Sequence, residues 1–151
     1  MISLELERVR RHTSDRSNER IDHTIAETIE AYAGKSDAVL SRRIDELDRE
    51  WDIERALQTH AAALALAGLG LGISLNRRWL ALSGGVLGFL LLHGTHGWCP
   101  PLPVLRRFGV RTRSEIERER FALKFLRGDF DQVRNADGKI NVLALIHAVK
   151  R

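Results

Sequence analysis

Hydrophobic and polar positions divide the chain into three regimes. Between Thr59 and Trp98 two apolar runs are separated only by Asn76, Arg77 and Arg78, while the segments on either side are charged and carry apolar residues at helical spacing. The second run, Trp79 to Trp98, has no Asp, Glu, Lys or Arg and would measure about 30 Å as a helix, the thickness of a bilayer's hydrocarbon core. The first, Ala61 to Leu75, measures about 22 Å and needs Leu57 to His60 and Asn76, or thinned lipid, to span. A small chain has too little other protein to cover two helices that are apolar on every side, which favours lipid over a soluble core. The pattern predicts an all-α protein: a two-span transmembrane helical hairpin, residues 59–76 and 79–98, with amphipathic cytoplasmic helices before and after it. Residues 1–58 then form a charged helical region, 59–98 the hairpin, and 99–151 a Pro-rich turn followed by basic amphipathic helices.

Within the first region Ile2, Leu4 and Leu6 alternate as in a strand, whereas Leu6 and Val9 equally suit a helix. Ile21, Ile25, Thr28 or Ile29, and Tyr32 recur at helical spacing as far as Gly34. Leu40, Ile44, Leu47 and Trp51 then make a seam too short to hold a coiled coil alone, so packing of the two helices on each other is favoured over pairing with a second copy. No proline or glycine separates Trp51 from the first apolar run, so the seam helix is expected to enter it as one rod. Cys99, Pro100, Pro101 and Pro103 end the second run. Thr112 and Glu115 have capping-box spacing, and Ile116, Phe121, Leu123, Phe125 and Leu126 predict a helix from about Arg113 to Arg127. Its apolar side either lies in the membrane interface or docks on the amino-terminal helices. A last stripe runs from Ile140 to Arg151.

Charge gives the hairpin an orientation. Residues 1–58 carry 10 Lys/Arg against 14 Asp/Glu and residues 99–151 carry 12 against 6, so the basic excess sits in the carboxyl-terminal third. Arg42, Arg43, Arg49 and Arg55 precede the hairpin and Arg106, Arg107, Arg111, Arg113 and Arg118 follow it, against Arg77 and Arg78 in the connecting loop. The positive-inside rule then places both termini in the cytoplasm. Trp79 and Trp98 bracket the second run and, with Arg106, Arg107, Arg111 and Arg113, are expected at the lipid interface beside anionic headgroups. Nucleic acid is not expected as a partner, since no zinc-finger spacing or aromatic RNA-binding signature accompanies the basic residues. The single cysteine excludes an intrachain disulfide. No charged start followed by an apolar stretch resembles a signal peptide, so the hairpin is expected to direct its own insertion.

Small residues recur at one-turn spacing in both runs. A fold at Arg77 would set Gly72 near Leu82 to Gly84 and Gly68 near Val86 to Gly88, making close packing of Gly68, Gly72, Gly84 and Gly88 the expected role and dimerisation the alternative. His93, His96 and Cys99 stand at i, i+3 and i+6, and the hairpin brings His60 to the same depth. These four could converge on a metal or haem, but spacing alone does not make a site, and no metal or cofactor is expected. A catalytic thiol would need an oriented base and a pocket. Asn135 to Asn141 imitates the middle of a calcium loop, yet Val133 and Ala144 occupy its first and twelfth positions. No phosphate loop, zinc-protease motif or nucleotide-fold pattern is present, and no enzymatic activity is expected.

Gly97-Trp98-Cys99-Pro100-Pro101-Leu102, then Leu105 and Phe108-Gly109-Val110-Arg111-Thr112, close a small-residue hairpin entered through Asp52-Ile53-Glu54-Arg55. Over roughly residues 51–112 this resembles the YgaP-type inner-membrane domain family, which implies a two-helix membrane hairpin of unknown function. The family's rhodanese domain and its loop cysteine have no counterpart here, so sulfur transfer does not follow. The expected function is a non-enzymatic inner-membrane anchor, scaffold or accessory subunit that oligomerises or binds partners through its cytoplasmic helices. The alternatives are a cofactor-bearing membrane subunit using His60, His93, His96 and Cys99, and a soluble helical oligomer that buries the apolar hairpins.

Overall fold

The computed structural model describes residues 8–133 and 140–150, and every regular element among them is helical. In chain order these are α1 (Arg8–Arg11), α2 (Asp15–Tyr32), α3 (Asp37–Arg49), α4 (Ile53–Ser74), α5 (Leu80–His96), α6 (Leu102–Arg107), α7 (Arg113–Leu126) and α8 (Val142–Lys150), with 3-10 turns at Arg77–Trp79 and Asp131–Val133. The alternating start of the chain and most of the calcium-loop imitation lie outside the described residues. Two compact units divide the chain: residues 1–21 with 51–113, and residues 22–50 with 114–151.

The first unit holds the hairpin. The expected single rod does not form, because Glu50 and Asp52 are extended, with ψ of 137° and 165°. Asp52 instead caps α4, its carboxylate accepting from the Arg55 N–H at 2.7 Å, which satisfies one of the donors that every helix start leaves orphaned. From there α4 runs 22 residues, turns through Asn76 and the Arg77–Trp79 turn, and packs antiparallel on α5. Around the foot of the hairpin Val9, Ile53, Leu57, Cys99 and Leu102 form a buried cluster, flanked by Leu105 and Val110. Above it little is covered: Leu66, Ile73, Leu75 and Leu91 are each more than two-thirds exposed. One stretch of the described residues, within Asp37–Ser74, is long and apolar enough to cross a membrane, and only 22 % of its apolar window is buried. α5 is uncharged but shorter, at 17 residues, so one candidate span is found rather than the two expected.

The helix contact differs in register from the expected one. A Cβ on Gly68 would lie 2.7 Å from Ser83 Oγ and 3.2 Å from the Trp79 carbonyl, and one on Gly72 would run into Leu80. Gly84 and Gly88 face open space, with nothing within 4 Å of an added Cβ, so they do not meet the small residues of α4. The physical cause is the tight turn: the chain reverses by Asn76 and coils at once, which sets Ser83 rather than Gly88 against Gly68. Ser83 fills the polar role there, its hydroxyl donating to the Ala65 carbonyl at 2.8 Å.

In the second unit the seam residues Leu40, Ile44 and Leu47 are buried, and their partners are Ile116 and Leu123 of α7, with Tyr32 of α2 packed alongside. The contact is intrachain, but with a later helix than the preceding one. Trp51 has left the seam and is exposed. α3 covers the Ile116 and Leu123 face of α7, so that face docks on protein, while Phe125 and Leu126 stay exposed. Ion pairs rim this seam: Arg43 with the buried Glu119 at 2.9 Å, and Arg120 with Asp48 at 2.7 Å. Asn141 caps α8 by accepting from the Ala144 N–H, and the fully buried Lys124 donates to the Val149 carbonyl at 2.8 Å and to that of Ala148, at the helix's other end.

These contacts make two predictions. Gly68→Ile, which inserts a β-branched side chain against backbone, should destabilise the hairpin by about 1 to 3 kcal/mol, whereas Gly88→Ile should match the parent in thermal unfolding. Burial lowers the Lys124 pKa, with the nearby Arg120 charge adding to the effect, from the ordinary 10.5. Between the lowered value and 10.5 the unfolded chain binds more protons, so the contribution of Lys124 to stability grows as pH rises through that window. Lys124→Met should remove that rise in a series of alkaline melting curves.

Candidate functional site

The end of α5 and the turn after it create a hollow at the foot of the hairpin. α5 stops at Gly97, which takes the left-handed conformation at φ 77° and donates its N–H to the His93 carbonyl. No other residue fits this position easily, since an added Cβ would come within 2.6 Å of Arg8 Cβ and 3.1 Å of its backbone. Arg8 lies there because its guanidinium donates to the carbonyl of Gly94 at 3.1 Å, meeting an exposed acceptor at the negative end of α5. The prolines then turn the chain into α6, a short helix missed in the sequence pattern although Leu102 and Leu105 already stand one turn apart.

α6 closes one side of a cavity of about 400 Å³ whose other walls are the lower turns of α4 and α5. Among the described residues the lining is aliphatic and aromatic, with His60, His93 and Cys99 as its polar side chains and no Asp, Glu, Lys or Arg. Three of the four residues singled out for a possible ligand therefore share one cavity. His96 does not join them; it is exposed and its Nδ1 lies 2.8 Å from the Thr95 hydroxyl. Among the described residues no three His, Cys, Asp or Glu side chains are placed to hold a metal ion.

The polar groups of the cavity differ in state. His60 Nδ1 is 2.6 Å from the Ala56 carbonyl, a contact that requires the proton on Nδ1 and leaves Nε2 as an acceptor in the neutral ring. His93 is 91 % buried, and among the described residues its Nδ1 has no hydrogen-bond partner. Burial raises the Cys99 thiol pKa, only partly offset by the Leu102 N–H, which keeps the sulfur protonated and unreactive as a nucleophile. The arrangement suits an uncharged apolar guest with a hydrogen-bonding group. A second hollow of about 460 Å³ borders α8, and its one carboxylate, Asp129, is bonded to Arg127.

The residues expected at a lipid interface separate into two kinds. Trp79 and Trp98 are exposed, as are Arg107 and Arg113, and Arg111 is half-buried. Arg106 is wholly buried, which corrects its expected place beside lipid headgroups. Its guanidinium donates to Asn18 Oδ1 at 2.8 Å and to the Val110 carbonyl at 3.1 Å, while Asn18 Nδ2 donates onward to the Arg10 carbonyl. A run of arginines in sequence carries no sign of which one turns inward. Only the apolar neighbours Leu102 and Leu105, on the same short helix, could have suggested it.

No family model, curated protein or solved structure matches the chain. Its site therefore rests on geometry. Arg106→Met should lower stability by about 2 kcal/mol, because the Asn18 and Val110 oxygens would lose a charged donor inside the protein. Arg107→Met, on the exposed side of α6, should leave the melting temperature unchanged. Equal behaviour of the two variants in thermal unfolding would contradict the internal role of Arg106.

Proposed function

We propose that the chain is a non-enzymatic anchor and scaffold of a bacterial inner membrane, crossing the bilayer through α4 and α5 with both termini in the cytoplasm. The observation that carries this proposal is the uncovered apolar surface of the hairpin. A core helix of a soluble domain buries most of its apolar side chains, whereas here, above the foot cluster, Leu64, Leu66 and Ile73 of α4 and Leu87, Phe89 and Leu91 of α5 are exposed. Length agrees: α4 measures about 33 Å, and α5 with its leading 3-10 turn about 31 Å, close to the hydrocarbon thickness. Trp79 and Trp98 then mark the two interfaces, and Arg107, Arg111 and Arg113 lie by anionic headgroups.

The resemblance to the YgaP-type inner-membrane domain over residues 51–112 supports the same placement. The scaffold part of the proposal rests on the second unit, where exposed Phe125, Leu143 and Ile146 leave apolar surface available to further protein, either copies of the chain or another subunit of a membrane complex.

Two measurements test the placement. The protein should stay with membranes after carbonate washing, and its recovery as a discrete soluble oligomer would defeat the anchor. On a Cys99→Ala background, a cysteine at Asn76 should react with an impermeant thiol reagent from outside intact cells, and one at Ser36 should not. Reversed labelling would overturn the assignment of both termini to the cytoplasm.

A further inference from the structure

We propose that the cavity at the foot of the hairpin binds a lipophilic quinone, with a ring oxygen at His93 and the tail leaving past Leu64 and Phe89. This rests on the bilayer placement above, since the two half-exposed side chains at the cavity's edge would then open to lipid. A volume of about 400 Å³ falls within the range of small-molecule sites and suits a single ring with the start of a chain.

The chemistry of the walls selects among the molecules a membrane offers. Among the described residues no cation lines the cavity, and the nearby Arg8 guanidinium is already bonded to the Gly94 carbonyl, so a fatty-acid carboxylate or a phosphodiester would enter an apolar space with little to compensate its charge. A pure hydrocarbon would fill the space but leave the buried His93 Nδ1 without a partner, as it is in the empty cavity. A neutral ring oxygen meets both conditions. The two imidazoles also match both forms of such a molecule. His93 Nδ1, when protonated, donates to a quinone carbonyl, and His60 Nε2, left as an acceptor by the Nδ1 contact with Ala56, receives a quinol hydroxyl. The proposal concerns binding, and no electron transfer by the chain is implied.

The test uses the full-length protein in detergent, titrated calorimetrically with a decyl-substituted benzoquinone and, separately, with decylbenzene. The quinone should bind at one per chain and more tightly than the hydrocarbon. His93→Leu should weaken the quinone roughly tenfold, the worth of one hydrogen bond, while leaving decylbenzene unchanged. Leu64→Trp, a substitution at the half-exposed edge that spares the foot cluster, should block both and serves if His93→Leu does not fold. Equal affinity for the two probes, or a quinone affinity indifferent to both substitutions, would overturn the proposal. So would a haem absorption band in the purified protein that is lost in His93→Leu. Retention on carbonate-washed membranes without quinone binding would sink this inference and leave the anchor standing; loss from the membrane would remove the anchor itself.

Discussion

Two backbones can come close only where no side chain stands between them, and in the hairpin those places are Gly68 and Gly72, with Gly68 the tighter against backbone. The Ser83 hydroxyl uses the gap to reach the Ala65 carbonyl, so a polar contact and a steric opening fix one register between α4 and α5. What happens further down depends on that register. A slip of one residue would turn every side chain of α5 by about 100° around its axis. His93 and Val86 would leave the wall that faces His60 and Leu64, and the cavity at the foot would have different chemistry or none. A contact near the tip thus governs a site several turns away, through the rigidity of the helices between them.

The foot of the hairpin is held in a different manner. There the apolar cluster is small, and polar groups pin its borders: Asp52 on the start of α4, Arg8 on the end of α5, Arg106 between Asn18 and Val110. The Ile53 N–H donates to the Arg111 carbonyl at 2.9 Å, closing the chain on itself just where α4 begins. Arg20 adds a bond to the Arg107 carbonyl at 2.7 Å. Each bond on its own is worth on the order of 1 kcal/mol, yet together they bring four separate stretches of the sequence to one point. The hairpin's walls are simple helices; the definition of the cavity comes from this polar frame.

Much of the helical architecture was legible in the residue pattern. The apolar runs, the stop at Gly34, the seam of Leu40, Ile44 and Leu47 and the helix after Thr112 all follow from period and punctuation, and the structure has them within a few residues. What escaped has a common physical origin. The break at Asp52 needs no proline or glycine, because a capping carboxylate beside an extended Glu50 is enough. The partner of the seam could not be read, since α3 and α7 are about 70 residues apart and periodicity carries no information on which faces meet. The inward turn of Arg106 and the outward turn of Gly84 and Gly88 are likewise properties of register. Of the site, His60, His93 and Cys99 were found from spacing, whereas Pro101, Val104 and Leu105 sit in a turn whose short helix carries only the one-turn pair Leu102 and Leu105, too brief a period to read.

The long-range bonds at the foot also set an order in time. Arg8 is bonded to the carbonyl of Gly94, 86 residues later, Arg20 to that of Arg107, 87 residues later, and Ile53 to that of Arg111. A ribosome releases the amino-terminal segment long before any of these acceptors exists. Val9 and its neighbours must therefore wait while both hairpin helices are synthesised, and contacts so distant in sequence are slow to form. Within the first unit the foot cannot close until the chain past Arg111 has emerged, so the hairpin helices exist before the frame that pins them.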